Sequence, residues 1–321
     1  MVLSSFVISL STCSNKAVVN NSVKQNGFLS VHGTSIVNEQ GQKVNLRGVS
    51  LGWHNWWPRF YNESTVKWLK EDWNCGVVRA AIGVDPDSAY ISNPQVALNC
   101  LYTVVDAAIK NDMYVVIDWH AHTIKLKEAK AFFSLVAKKY RTFPNIIYEI
   151  FNEPEGLNWA SVKAYSEEVI KTIRAIDTRN IILVGTPTWS QDVDVVANNP
   201  ITGYHNLIYS LHFYAATHGQ SLRNKADIAL QKGLPLFVSE CASMEATGNG
   251  AINRQAWQTW LQWMKSHEIS WITWSIADKN ESCSMVKNPL SPVSGWTDHD
   301  LKEWGVMVRT ELRREVSIIN E

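Results

Sequence analysis

The stretch "NIIYEIFNEPEG", Asn145 to Gly156, reads as a buried β-strand that ends in chemistry. Ile146 to Asn152 have a strand's apolar character, yet they carry Glu149 in their middle and run straight into Asn152-Glu153-Pro154. An ionised carboxylate in a low-dielectric setting must be paired or must shift its pKa, so each glutamate needs a partner or a task. Pro154 stops the strand. Asn152 and Glu153 are neighbours and would point to opposite faces of a regular strand, so a bulge or sharp turn is expected to aim both at one place. Glu149, four residues earlier, is expected inside the fold with Arg79 or a nearby hydroxyl as its partner.

Outward from this stretch, short apolar runs alternate with longer amphipathic ones. The strand-like runs are residues 44–51, 76–83, 114–120, 146–153, 181–187, 208–214, 235–240 and 271–278. Helical spacing marks 94–111, 125–140, 159–177, 221–232 and 252–267, and a last helix, "DLKEWGVMVRTELRREV", follows the eighth run. Alternating β and α imply parallel strands, and eight of each are closed most economically as an α/β fold of the (β/α)8, or TIM, barrel type. Upstream, "FLSVHGTSIVNEQGQKV" reads as a β-hairpin around Glu39-Gln40-Gly41 that closes the bottom of the barrel.

The 321 residues carry thirty basic and thirty acidic side chains, which argues against nucleic acid or an anionic membrane as partner. Trp, at 15, outnumbers Phe, at 9, so several indoles are expected to face a ligand. The start, "MVLSSFVISLSTCSNK", has an apolar run without a basic residue before it, and residues 1–20 are read as a signal peptide or disordered arm. "LSTC" is a poor match to a lipoprotein cleavage site at Cys13. Residues 21–321 are read as one catalytic domain. No Ser/Pro/Thr-rich linker or second compositional block appears, so no tethered substrate-binding module is expected. Cys75, Cys100, Cys241 and Cys283 are compatible with one or two disulfides in an oxidising compartment, and none has the spacing of a zinc site.

Chemistry in such barrels gathers at the C-terminal ends of the strands. There the sequence places Arg79, Asp118-Trp119-His120, Asn152-Glu153, His212-Phe213-Tyr214, Glu240, Trp274 and Asp278. Two glutamates at strand ends, in a cleft rich in aromatics, are the equipment of glycoside hydrolysis: one protonates the leaving oxygen while the other attacks the anomeric carbon. Carboxylates can do both jobs, so neither metal nor organic cofactor is implied.

The segments "VNLRGVSLGWHNWW", "VVRAAIGV", "VVIDWH", "IIYEIFNEP", "IILVGTPTWSQDVD", "SLHFYAATHGQSLR", "LFVSE" and "ISWITWSIADKNES" resemble the endo-β-1,4-glucanases of glycoside hydrolase family 5, over roughly residues 27–285. The resemblance implies Glu153 as general acid/base and Glu240 as nucleophile. Asn152 would bond the sugar 2-OH, Arg79 and Tyr214 would hold the nucleophile, and His120 and His212 would line the subsite of the reacting sugar. Trp274 would floor that subsite, Trp56 would stack on the sugar beyond, and Trp189 would lie toward the leaving group. Lys279 and Glu281 would grip the chain on the non-reducing side. A β-glucan such as cellulose is the implied partner, met by a secreted monomer.

Two departures stand out. The nucleophile is followed by Cys241-Ala242 where many relatives carry an aromatic and glycine, and Cys241 either pairs with Cys283 or is a buried small hydrophobe. Gly52 stands where some members have a histidine. Mannan, glucomannan, mixed-linkage glucan and xylan stay open as substrates. The rivals are a metal-dependent hydrolase built on His120 and His122, and a binding barrel without catalysis. His54 is expected at the surface.

Overall fold

The computed structural model describes residues 22–287, 289 and 291–314; the expected leader and Cys13 lie outside the described residues. Two short strands, β1 (Ser30–His32) and β2 (Ser35–Val37), precede eight barrel strands. These are β3 (Arg47–Leu51), β4 (Val77–Gly83), β5 (Tyr114–His120), β6 (Ile146–Glu149), β7 (Ile181–Val184), β8 (Leu207–Tyr214), β9 (Leu236–Ala242) and β10 (Trp271–Ile276). Each pairs in parallel with the next, and β10 closes on β3 through Trp271 opposite Arg47. All eight expected strands are present, in order.

Strand periodicity sets the barrel interior in layers. Val77, Tyr114, Val116, Ile147, Ile181, Leu183, Ile208, Phe237 and Ile272 form an apolar floor near the strand starts. Leu29, Ile36, Val44 and Leu46 from the N-terminal segment pack into the same cluster, so the hairpin does plug the bottom. Two residues further along, the same strand faces carry Arg79, Asp118, Glu149, Ser210 and Ser239, all fully buried. The step from apolar floor to charged layer is therefore one side-chain period high.

The outer helices follow the expected periodicity. The helix Pro94–Lys110, for example, buries Ala97, Leu98, Leu101, Val104, Val105 and Ala108, with Pro94 opening its first turn.

Three expectations need correction. The β1–β2 turn falls at Gly33-Thr34, and the turn at residues 38–42, where Val37 bridges Lys43, is a second, smaller one organised by the Asn38 side chain. After β7 no long helix follows; two four-residue helices, Pro187–Ser190 and Val193–Val196, stand there instead. Thr188, Trp189 and Ser190 all have φ between 52° and 57°, a left-handed run that bulky residues rarely adopt, and it carries Trp189 to the rim of the cleft. Finally, Cys75, Cys100, Cys241 and Cys283 are all unbridged. Cys241 Sγ donates to Ile272 O (3.4 Å), whereas Cys283 lines the cleft and donates to Glu281 Oε1 (3.2 Å), so the two thiols are engaged separately.

Gly48 on β3 leaves no room for a side chain against β4, because a Cβ there would lie 1.8 Å from Val77 O. The clash is with backbone, which cannot rotate away. Gly48→Ala is expected to cost at least about 1–3 kcal/mol, read as a lowered urea midpoint; an unchanged midpoint would contradict this packing.

Candidate active site

Three strand ends are irregular where side chains converge. Regular pairing of β6 stops at Glu149; beyond it the Asn152 N–H donates to Trp119 O (3.2 Å) and the Glu153 N–H to Ala121 O (3.2 Å). Adjacent residues here reach carbonyls two residues apart on the neighbouring strand, so the pairing is irregular, as expected from sequence, and Asn152 and Glu153 come to the same site. The β8–β9 register shifts between Ser210 and His212, letting adjacent Ser239 and Glu240 both reach inward. β10 is irregular between Thr273 and Ile276, and its Trp274–Ser275 peptide is cis.

Arg79 lies at the centre. Its Nε donates to Glu149 Oε2 (2.6 Å), and one terminal nitrogen donates to Glu240 Oε2 (3.1 Å). The other donates to Asn152 Oδ1 (2.6 Å) and lies 2.9 Å from Asp118 Oδ2. Burial alone would weaken the guanidinium's hold on its proton, but Asp118, Glu149 and Glu240 outweigh it and hold Arg79 charged. Glu149 is fully buried and also accepts from Ser239 Oγ (2.6 Å) and Ser210 Oγ (3.3 Å). Burial raises its pKa, yet Arg79 and then His212 prevail and lower it to about 2. Glu149 is thus the counter-ion of Arg79, the partner expected from the sequence.

The two strand-end glutamates are held differently. Glu240 accepts from Arg79 and from the Tyr214 hydroxyl (2.8 Å). Burial, then the Glu153 carboxylate, push Glu240 above the ordinary glutamate range, opposed by His212, Arg79 and the Tyr214 bond. Glu153 Oε1 lies 3.0 Å from His212 Nδ1, and His212 Nε2 lies 2.9 Å from Ser239 Oγ. Burial pulls His212 down, but Glu149 and Glu153 more than compensate and raise it to about 9. A ligand oxygen of Glu153, one of Glu240 and a ring nitrogen of His212 all lie within 4.8 Å of one another. This trio is the only candidate cation cage among the described residues, but an imidazolium whose two nitrogens both face hydrogen-bond partners offers no lone pair to a metal.

His120 Nδ1 lies 2.6 Å from Asp118 Oδ2. Burial is the largest influence on both, pushing Asp118 up and His120 down, while Arg79 opposes the rise of Asp118. The His120 ring stacks on Trp274 (5.2 Å, 7°), and Trp53 meets it edge-on. His120 and His122, the pair considered for metal, are 6.2 Å apart between ring centres, with His120 turned to Asp118.

The cleft has two lobes. One is lined by Trp53, Trp56, His120, Glu240, Trp274, Lys279 and Glu281, and the other, of about 570 Å³, by Thr188, Trp189, Gln191, His212 and His218. Glu153, Tyr214 and His122 border both. Trp56 and Trp189, 51% and 42% exposed, stand at opposite lobes as open indole faces. A separate recess of about 510 Å³ beside the hairpin, lined by Tyr204, Tyr209 and Lys232, carries no carboxylate and has no such chemistry.

The residues given roles by the resemblance border or buttress this cleft, whereas Trp119 and Phe213 pack outward on Phe132 and Trp260, and Asp278 pairs with Arg59 (2.8 Å). Sequence reasoning missed Ser239, Ser210 and Trp53, and assigned Asp118 no role. His54, expected at the surface, is fully buried, accepts from Gly83 N–H (3.0 Å) and is lowered to about 4 by burial. At Gly52 a Cβ would meet the Trp57 ring at 3.0 Å, so a side chain there would require that indole to move.

The His212 shift makes a stability prediction. Its folded pKa, about 9, exceeds the ordinary 6.5, so its contribution is whole below 6.5 and is lost as pH rises through 9. Urea midpoints are expected to fall across that window in the parent chain and to fall less in His212→Gln; equal slopes would contradict the assignment.

Residues 37–280 match the family described as Cellulase (glycosyl hydrolase family 5). Endoglucanase Z of Dickeya dadantii is 46% identical over 263 residues, covering 80% of this chain and 61% of that protein. A solved structure from Cytophaga hutchinsonii superposes with a TM-score of 0.90 at 46% identity, covering 92% of this chain and 98% of that one. The catalytic domain of Thermobifida fusca endoglucanase Cel5A, solved in complex with cellotetraose, gives 0.85 at 31% identity, covering 91% and 99%. The chain spans 61–66% of the length of the first three curated endoglucanases it matches. The family match runs from the end of β2, through all eight barrel strands, to the loop beyond β10, and the chain belongs to the cellulase family, glycosyl hydrolase family 5.

Proposed function

We propose that the chain is an endo-β-1,4-glucanase that cleaves internal bonds of cellulose and related β-glucans with retention of configuration. The observation that carries the reading is the approach of Glu153 and Glu240, whose nearest oxygens lie within 4.8 Å. Direct attack by a carboxylate suits a separation of about 5–5.5 Å, whereas an inverting pair leaves room for water at about 6.5–9.5 Å. Glu240 attacks the anomeric carbon as Glu153 protonates the departing glycosidic oxygen, leaving a glycosyl ester on Glu240. Glu153 then takes a proton from water, whose oxygen attacks that carbon and frees Glu240.

The surroundings support these roles. His212 at Glu153 Oε1 leaves Oε2 for proton transfer and stabilises the carboxylate that donation creates. Asn152 Nδ2 is buried without a partner among the described residues, which suits a donor for the sugar 2-OH. The lobe holding Glu240 is the donor side and the Trp189 lobe the leaving-group side, since the nucleophile must sit under the sugar it attacks. Trp274, Trp56 and Trp189 offer indole faces to the flat faces of β-1,4-linked glucose. No helix among the described residues is long and apolar enough to cross a membrane. A polymer too large to enter a cell and an apolar leader together support secretion.

The test is release of reducing ends and loss of viscosity from carboxymethylcellulose, beside mannan and xylan, with Glu240→Gln as comparison. A rapid viscosity fall that vanishes in Glu240→Gln is expected; strong activity on mannan or xylan alone would overturn the substrate. Because Glu240 is pushed up, the acid limb of kcat/KM should lie above the ordinary glutamate value of 4.5. An acid limb below that value would contradict the environment described for it.

A further inference from the structure

The loop after β10, residues 277–286, carries Lys279 and Glu281 into the donor lobe, where their side chains pair at 2.5 Å. Its base is well anchored. The Ser275 N–H donates to Cys283 O, Met285 N–H to Ser275 O, Val286 N–H to Ala277 O and Cys283 N–H to Gly248 O, all between 3.0 and 3.1 Å. The tip is a tight turn closed internally by the Glu281 N–H on Lys279 O (2.8 Å). Ser282 ties one side of it to the β9 loop, donating to Asn249 Oδ1 and Gly250 O.

The other support is a half-buried lysine that no part of the mechanism uses. Lys302, just before the helix Glu303–Arg314, donates its ammonium to Lys279 O (2.5 Å) and Glu281 O (2.9 Å), while its own N–H donates to Met285 O (2.8 Å). An ammonium has three donors and no acceptor, and here two bind the carbonyls of the two residues that enter the cleft. Tilting either peptide plane would swing the attached side chain, so the bond from Lys302 sets where both stand.

We propose that Lys302 is a positioning residue: by clasping the Lys279 and Glu281 carbonyls from outside the cleft, it fixes the outer donor subsite and governs how much affinity a longer glucan chain gains there. The inference rests on reading the cleft as a β-glucan site. The Lys302 side chain bonds to neither catalytic carboxylate, and the backbone hydrogen bonds at the loop base do not involve it.

The test uses aryl β-glycosides of one, two and three glucose units with the parent chain, Lys302→Met and Lys302→Arg. In the parent chain kcat/KM should rise with donor length. In Lys302→Met that gain should shrink about ten-fold, as expected when two side chains must be ordered on binding instead of beforehand, through KM rather than kcat. Lys302→Arg, which can span both carbonyls, should restore most of it. A parent chain inactive on every donor would sink the glucan reading itself. An active parent with an unchanged gain in Lys302→Met, or a loss equal at every donor length, would overturn the role of Lys302. If Lys302→Met does not melt cooperatively, Lys302→Gln is judged by the same gain.

Discussion

The guanidinium of Arg79 is the constraint on which the site depends. Fully buried, it cannot shed its charge, and the protein surrounds it with Glu149, Asp118 and Glu240 and with the amide oxygen of Asn152. Breaking a buried ion pair by removing one partner leaves an uncompensated charge, so each member is held by the others. Glu149 is the anchor that touches no part of the cleft. From it one arm runs through Arg79 to Glu240, and another through Ser239 and His212 to Glu153. Two carboxylates that would repel one another are thereby set close together, each with its own cation.

The barrel makes this possible by irregularity where it matters. A regular strand offers every second residue to the interior, which would admit Glu149 but not both Asn152 and Glu153, and Ser239 but not Glu240. The irregular ends of β6 and β9 double the density of inward side chains at the mouth, above an apolar floor that keeps strict alternation. Order below and departure above are two uses of the same ladder.

Much of this was legible in the sequence, for physical reasons. Each barrel strand is buried on both faces and reads as a continuous apolar run, and Glu149, Glu153 and Glu240 stand out against such runs because a buried charge is costly. What periodicity could not reveal was its own violation. Alternation from Phe237 admits Ser239 and turns Glu240 away; only the shifted β8–β9 register lets both face the site, so a reading that placed Glu240 in the cleft passed over Ser239. Composition was a blunter guide. Trp56 and Trp189 are exposed at the cleft, but Trp73, Trp119, Trp257, Trp260, Trp296 and Trp304 are core residues with equal claim to the tryptophan count. Neighbouring strands suggested a Cys241–Cys283 bridge, whereas one thiol lies against the β10 backbone and the other faces the cleft.

The central claim is that this network presents Glu240 as an ionised nucleophile beneath the reacting sugar. An activated 2-deoxy-2-fluoro-β-cellobioside tests it most directly, because the fluorine slows both formation and hydrolysis of the glycosyl ester while the good leaving group speeds only its formation, so the ester accumulates. Mass spectrometry of the intact chain, followed by peptide mapping, should show a single cellobiosyl adduct on the β9 peptide at Glu240. An adduct on Glu153, or hydrolysis of the reagent with inversion and no adduct, would contradict the account.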